Sequence, residues 1–154
     1  MPDVFISYSV KDEQLAQFVR QHLAQQGLDV FLASISLKQG EHWTPQIINA
    51  LRASGWGFLL ASKNALASAN VQQEVGGAIF GQKKLVPIMW DIDPHEMPRW
   101  ITDYQGVVLK GATMEQINAR VAQIAAEVKA DKVKGQLVVG AAFFWPTILA
   151  CKID

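Results

Sequence analysis

The stretch Asp3-Val4-Phe5-Ile6-Ser7-Tyr8-Ser9 decides the fold of this 154-residue chain. Its three middle residues are apolar and β-branched or aromatic, which predicts a short strand buried in a parallel sheet. The three hydroxyl residues that follow form a polar exit from that strand. A polar loop at the carboxyl end of a first, central strand is where doubly wound sheets bind ligands. Together with Glu74, the stretch predicts a nucleotide-handling site on an α/β sheet.

Strands and helices alternate along the rest of the chain. Short apolar runs predict five strands, and amphipathic segments between them predict helices. This alternation implies a five-stranded parallel sheet with helices on both faces, for which the flavodoxin-like strand order is the simplest topology at this length. We predict strands at 4–8, 28–32, 56–61, 84–90 and 106–109, helices at 12–26, 44–53, 69–80 and 113–132, and a loop at 62–64.

Composition narrows the class of protein. Fourteen basic and fourteen acidic side chains give a formal net charge of zero, which makes nucleic acid an improbable main partner. The single cysteine, Cys151, excludes an internal disulfide and fits a reducing compartment. The first residues lack the charged and apolar regions of a secretory signal. We therefore expect a cytoplasmic protein.

The last part of the chain differs from the rest, and we divide the chain into a domain at 1–132 and a tail at 133–154. Residues 137–151 form a nearly continuous apolar C-terminal segment. Fifteen residues of helix reach only about 22 Å, short of the ~30 Å hydrocarbon core, and Pro146 interrupts them. Two interpretations remain open: a segment that packs in a core or an oligomer, and one that associates with a membrane. The preceding lysines would suit a cytoplasmic membrane face.

Glu74 is the candidate working carboxylate. It lies in a predicted helix beside an apolar face, and the positions four residues away, Asn70 and Ala78, carry no base to pair with it. An acid without a local partner, next to small residues, is a candidate for a partly buried catalytic group. The alternative is an ordinary glutamate at the boundary of the core. The apolar face consists of Val71, Val75, Ala78 and Ile79.

Two loops also carry chemistry. The loop at 33–42 is long for a strand-to-helix connection, and its Lys38 is placed to meet a phosphate. Trp43 follows it and would stack on a ring or anchor the next helix; a solvated surface loop is the alternative. His95 lies among acids in a second loop, but their spacing does not indicate a metal site. Neither of the common glycine-rich phosphate-binding motifs occurs.

Taken together, these pieces resemble a TIR (Toll/interleukin-1 receptor) domain of the bacterial type. The resemblance covers roughly residues 1–130 and stops before the tail. Each piece alone is weak, but the combination is specific. The matching pieces are 3–9 with Asp12, Gly27-Leu28-Asp29-Val30-Phe31, Leu37-Lys38-Gln39-Gly40-Glu41, Ser62, the helix bearing Glu74, and Lys84-Leu85-Val86-Pro87-Ile88.

The resemblance implies an NAD+ glycohydrolase or cyclase. Such members cleave the nicotinamide–ribose bond of NAD+ to give nicotinamide and ADP-ribose or a cyclic ADP-ribose isomer, and bacterial members often act in anti-phage defence. NAD+ is then the substrate, with no cofactor or metal, and a downstream effector would sense a nucleotide product. Members commonly complete the site between two protomers, which implies activation by self-assembly. The family position of the catalytic glutamate is Glu74, and the substrate-binding candidates are Ser7, Tyr8, Ser9, Lys38, Trp43 and Asn70.

Asn70 is a departure from the family pattern, because enzymatic members often carry tryptophan four residues before the glutamate. The departure favours the alternative of a non-catalytic TIR scaffold for signalling assembly. A phospho-acceptor receiver on the same kind of sheet would need clustered acids after the first strand and an aspartate at the end of the third. Ser7-Tyr8 and Ala61-Ser62 occupy those places instead.

Overall fold

The computed structural model describes residues 2–34, 44–66, 84–97 and 105–143, with side chains described up to Gly135. Five parallel strands form one sheet in the order β2-β1-β3-β4-β5, which confirms the predicted flavodoxin-like sheet. The strands are β1 (Val4–Tyr8), β2 (Val30–Ser34), β3 (Trp56–Ala61), β4 (Lys84–Met89) and β5 (Val107–Val108). The helices are α1 (Glu13–Gln25), α2 (Pro45–Ala53), α3 (Lys63–Leu66) and α4 (Met114–Phe143).

The two faces of the sheet carry separate cores because successive side chains of a strand point to opposite faces. On one face, α1 and α4 cover a cluster that includes Val4, Ile6 and Phe58. On the other face, α2 covers a cluster that includes Phe5 and Leu59. The helices that follow β1 and β2 thus lie on opposite faces, and β1 and β3 become neighbours at the reversal. This is the topological switch point of the sheet, where such folds form a crevice.

Strand β2 begins two residues later than the sequence predicts. Gly27 adopts a positive φ of 77°, and the Leu28 N–H donates to the Leu23 carbonyl at 3.2 Å. Leu28 therefore closes the end of α1 rather than opening the strand. Pairing with β1 starts where Val4 meets Val30, so the strand runs to Ser34. The predicted strand at 28–32 was wrong at both ends.

Two further segments differ from the prediction by more than one residue. Residues 63–66 form a helical turn, α3, where the sequence predicts a loop, since the Ser62 hydroxyl accepts the Ala65 N–H at 3.0 Å and caps it. Helix α4 continues to Phe143 instead of ending at Lys132, because no proline interrupts these residues, although Gly135 and Gly140 weaken the helix. Thr113 caps α4, accepting the Gln116 N–H at 3.2 Å.

Three residues of α4 fasten the helix to the amino-terminal edge of the sheet by four polar contacts. The Lys129 ammonium donates to the Gln26 carbonyl at 2.9 Å, and the Lys132 ammonium lies 3.0 Å from the Asp3 carboxylate. Asp131 accepts two hydrogen bonds, from the Trp56 indole at 2.9 Å and the Lys84 ammonium at 2.6 Å. We call Lys129, Asp131 and Lys132 the α4 clamp. Beyond it, Val133 is 39% exposed, so the helix has left the sheet.

Helix α4 carries the chain from the predicted domain into the predicted tail. No helix within the described ranges is both long and apolar enough to cross a membrane. The helix passes from residue 132 to residue 143 without a break, so the division at 132–133 stays a prediction. The predicted helix at 69–80 and the end of the apolar segment, 144–151, lie outside the described residues.

Removal of the Asp131 carboxylate tests the clamp through its pH dependence. Hydrogen bonds from Lys84, and then from Trp56, hold the pKa of Asp131 below its ordinary value. The folded state thus binds this proton less readily than the unfolded chain, whose carboxyl titrates at about 3.9. The contribution is present above that pH and is lost as pH falls through the lower folded pKa. We expect Asp131→Ala to cost about 1 kcal/mol at neutral pH, since the ion pair is largely solvated.

Urea denaturation of Asp131→Ala and the wild type, at neutral pH and in acid, measures this difference. The gap should close in acid, below the pH at which Asp131 titrates. Asp131→Asn is the matched control because it keeps an oxygen that accepts the Trp56 N–H, and it should lose less than alanine. A gap that is the same at both pH values would contradict the assignment.

Gly106 permits β5 to lie close to β4. A Cβ at this position would stand 2.8 Å from the Pro87 carbonyl oxygen and 2.9 Å from Pro87 Cγ. Backbone atoms must then shift, so we expect Gly106→Ala to lower the free energy of unfolding by about 1–3 kcal/mol. Gly55→Ala is the control because a Cβ there meets no atom within 4 Å. Equal denaturation midpoints for the two variants would contradict this packing argument.

Candidate functional site

The candidate site lies at the carboxyl ends of β1, β3 and β4. Parallel strands end at the same edge of a sheet, so the residues that follow them come together. Ser9 follows β1, Ser62 follows β3, and Asp91 lies two residues after β4. None of these polar residues is near another in sequence, and only the strand order brings them to one edge.

Asp12 and Ser62 form a buried pair that joins the ends of β1 and β3. A 3-10 turn at Val10–Asp12, in which the Asp12 N–H donates to the Ser9 carbonyl at 2.8 Å, returns Asp12 to the sheet. Its carboxylate accepts a short hydrogen bond from the Ser62 hydroxyl. Asp12 is 9% exposed and Ser62 is fully buried. A buried carboxylate is costly unless it is paired, and this bond supplies the partner.

Two residues fix the start of α3 at this edge. The Ser62 hydroxyl accepts the Ala65 N–H, and the Asp91 carboxylate accepts the Lys63 N–H at 2.9 Å. Asp91 thereby ties the loop after β4 to the helix after β3. Two hydrogen bonds therefore hold the start of α3, the helix from which the chain continues toward Glu74.

Ser7 and Tyr8 are separated by the alternation of the strand. The Tyr8 side chain packs in the core cluster under α1 and α4, whereas Ser7 shares the opposite face with Phe5. Burial, and then the nearby Glu13 carboxylate, raise the pKa of the Tyr8 phenol. Ser7 is 2% exposed, and no hydrogen-bond partner for its hydroxyl lies within the described ranges. Ser7 and Tyr8 lie within β1, and of the three predicted hydroxyl residues only Ser9 follows the strand.

Four predicted site residues lie outside the described residues: Glu74, Lys38, Trp43 and Asn70. Their roles stay predictions. The described edge adds Asp12, Ser62 and Asp91, which the sequence interpretation did not assign to the site. Their common signal is a polar side chain within a few residues of the end of an apolar strand.

The acidic loop after β4 gathers the residues considered for a metal. Potential ligand atoms of Asp93, His95 and Glu96 lie within 4.8 Å of one another. The Lys110 ammonium lies 2.7 Å from the Asp93 carboxylate, and its hydrogen bond holds the pKa of Asp93 below the usual range. The Glu96 carboxylate accepts the Asp93 N–H at 2.6 Å. These bonds explain why the acidic side chains lie together, because they hold the loop in its fold.

A groove of about 960 Å³ is lined by residues of β4, β5 and α4. It contains three cations, Lys84, Lys110 and Arg120. Each of them is already bonded, to Asp131, Asp93 and the Val108 carbonyl respectively. The groove therefore offers little free positive charge to an anionic ligand.

The strand order and polar carboxyl edge define the class of the protein as a flavodoxin-like α/β domain whose topological switch point lies between β1 and β3. The sequence matches the family model of the TIR domain over residues 4–125. The chain therefore belongs to the TIR domain family.

Three proteins illustrate what this chain is similar to. NAD(+) hydrolase SARM1 of Danio rerio is 30% identical over 141 residues, which cover 75% of this chain and 19% of that protein. The probable 2' cyclic ADP-D-ribose synthase BdTIR of Brachypodium distachyon is 27% identical over 105 residues, covering 66% and 47%. The TIR domain of the Toll-related receptor TRR-2 of Hydra magnipapillata superposes with a TM-score of 0.64 at 14% identity, covering 84% and 99%. The chain spans less than half of the length of either curated relative.

Proposed function

We propose that this TIR domain cleaves the nicotinamide–ribose bond of NAD+. The observation that carries the proposal is its 30% identity to a protein named as an NAD(+) hydrolase, over three quarters of this chain. The polar edge at the switch point supports it, because that is where a nucleotide binds on such a sheet.

The chemistry needs little more than one carboxylate. Nicotinamide is cationic in NAD+ and leaves as a neutral molecule, so no general acid is required at the leaving group. The ribose passes through an oxocarbenium-like transition state, and Glu74 beside it would stabilise the positive charge and orient the ribose hydroxyls. Attack by water then gives ADP-ribose, and attack from within the molecule gives a cyclic isomer. The BdTIR name supports the cyclic outcome as a second product.

Incubation of the purified protein with NAD+, at high protein concentration, tests the proposal. We expect loss of NAD+ with equimolar release of nicotinamide, and chromatography measures both compounds. The other product distinguishes the two reactions. ADP-ribose indicates hydrolysis, and an isomer of cyclic ADP-ribose indicates cyclisation. Intact NAD+ in the presence of demonstrably assembled protein would contradict the proposal.

We further propose that the active form is self-assembled, with the apolar C-terminal segment contributing to assembly. The α4 clamp fixes the helix up to residue 132, and the helix then leaves the sheet toward this segment. Association of the same segment with a cytoplasmic membrane face is the alternative. Flotation of the full chain with anionic lipid vesicles separates the two, since a purely protein-packing segment stays at the bottom of the gradient.

The biological role that we propose is bacterial anti-phage defence in the cytoplasm, by depletion of NAD+ or through a nucleotide product that a downstream effector senses. The resemblance of the sequence to bacterial-type members supports it. Expression in a bacterial host that is then challenged with phage tests it. Protection that depends on Glu74 is the expected result, and equal plaque counts with and without the protein would contradict it.

A non-catalytic scaffold is the second candidate function. The observation that favours it is Asn70, which stands where enzymatic family members often carry tryptophan. This function predicts assembly without loss of NAD+. The same incubation therefore decides between the two candidates.

A further inference from the structure

The buried pair Asp12–Ser62 has no part in the cleavage chemistry described above. Ser62 is fully buried and Asp12 is 9% exposed, and their side chains join the ends of two neighbouring strands. Pairing of a carboxylate with a hydroxyl in a core is costly to assemble, because both groups lose water. Apolar side chains at the ends of β1 and β3 would join the two strands at a lower free-energy cost if stability were the only role of this contact.

We propose that Asp12 and Ser62 are positioning residues: they hold the start of α3 at the end of β1, and they act on the reaction through Glu74, which follows α3 in the chain. The hydroxyl links three parts of the site. It donates to Asp12 and accepts the Ala65 N–H at 3.0 Å. Its single proton points at the carboxylate, so its lone pairs remain for the helix cap. This inference rests on the proposed function.

The direction of the effect follows from the geometry. Loss of the Ser62 hydroxyl removes the cap of Ala65 and leaves Asp12 buried without its partner. Movement of a catalytic group by about 1 Å is enough to slow a reaction about 100-fold. We expect Ser62→Ala and Asp12→Ala each to lower kcat about 10- to 100-fold, with KM little changed. Because the two residues act as a unit, the double variant should be no slower than the singles.

Asp12→Asn distinguishes a positioning residue from a catalytic carboxylate. Its amide oxygen still accepts the Ser62 hydroxyl but carries no charge. We expect it to keep most of the wild-type kcat. If Asp12→Asn is as slow as Asp12→Ala, the charge itself is used and the proposal is overturned. This comparison decides the question even if Ser62→Ala fails to fold.

Ser54→Ala is the matched control. Ser54 is also buried, at 1% exposure, and its hydroxyl donates to the Ala50 carbonyl at 2.8 Å. It precedes β3, at the opposite edge of the sheet from Ser62. We expect Ser54→Ala to lose stability without a change in kcat of the folded fraction. An equal loss of kcat in both serine variants would overturn the proposal, as would a wild-type kcat in Ser62→Ala.

Hydrogen exchange of the Ala65 amide gives a readout that does not depend on activity. We expect faster exchange in Ser62→Ala and wild-type exchange in Ser54→Ala. If the wild type itself leaves NAD+ intact, the proposed function fails, while faster Ala65 exchange still supports the role of the pair in fixing α3. An unchanged exchange rate in Ser62→Ala overturns that role, whatever the activity.

Discussion

Glu74→Ala is expected to abolish turnover of NAD+ while the domain stays folded. The positive charge that develops on the ribose needs a fixed negative group, and loss of one preorganised group of this kind costs about 10²- to 10³-fold in kcat. In a site with a single working carboxylate, no other acid replaces it. The measurement is NAD+ consumption with product analysis for the wild type and the variant at the same concentration and degree of assembly.

Isosteric variants separate charge from shape in this experiment. Glu74→Gln keeps the size and hydrogen-bonding atoms of the side chain but not its charge, so it should be nearly as inactive as alanine. Glu115→Gln makes the same change at an exposed position in the first turn of α4 and should leave turnover unchanged. Wild-type turnover by Glu74→Ala would remove Glu74 from the mechanism.

The central strands were predictable because burial on both faces leaves a clear pattern. The structure places β1 at Val4–Tyr8 and β3 at Trp56–Ala61, the residues that the apolar runs predict. Strand β2 lies at the edge of the sheet, and most of its side chains are only partly buried. Its bounds follow from pairing with β1 and from the end of α1, neither of which a local pattern contains. Helix α3 was predicted as a loop although its cap, Ser62, is local, because four residues are too few to show a helical period.

The site was only partly predictable from the sequence. The polar exit of β1 places the predicted site at the carboxyl edge of the sheet, because ligand position follows from strand order in these folds. The Asp12–Ser62 pair was not foreseen, since fifty positions separate the two residues and only the adjacency of β1 and β3 joins them. Side chains alternate between the two faces of the sheet along β1, so Tyr8 and Ser7 lie on opposite faces. The run of three hydroxyl residues in the sequence does not show this separation.

Removal of residues 135–154 is expected to lower activity at least tenfold at protein concentrations where the full chain is assembled. Assembly raises the effective concentration of one protomer at another, and its loss is costly even when each contact is weak. A cut after Lys134 keeps the whole α4 clamp, so the domain should unfold at nearly the same urea concentration as the full chain.

A second truncation makes the comparison sharp. A cut after Val128 also removes Lys129, Asp131 and Lys132, which bond to the Gln26 carbonyl, to Trp56 with Lys84, and to Asp3. It should therefore lose stability as well as activity. If the tail acts through assembly, the activity of the form that ends at Lys134 recovers as its concentration is raised. Mass action then compensates for the missing contacts. Activity that equals that of the full chain at every concentration would exclude residues 135–154 from activation.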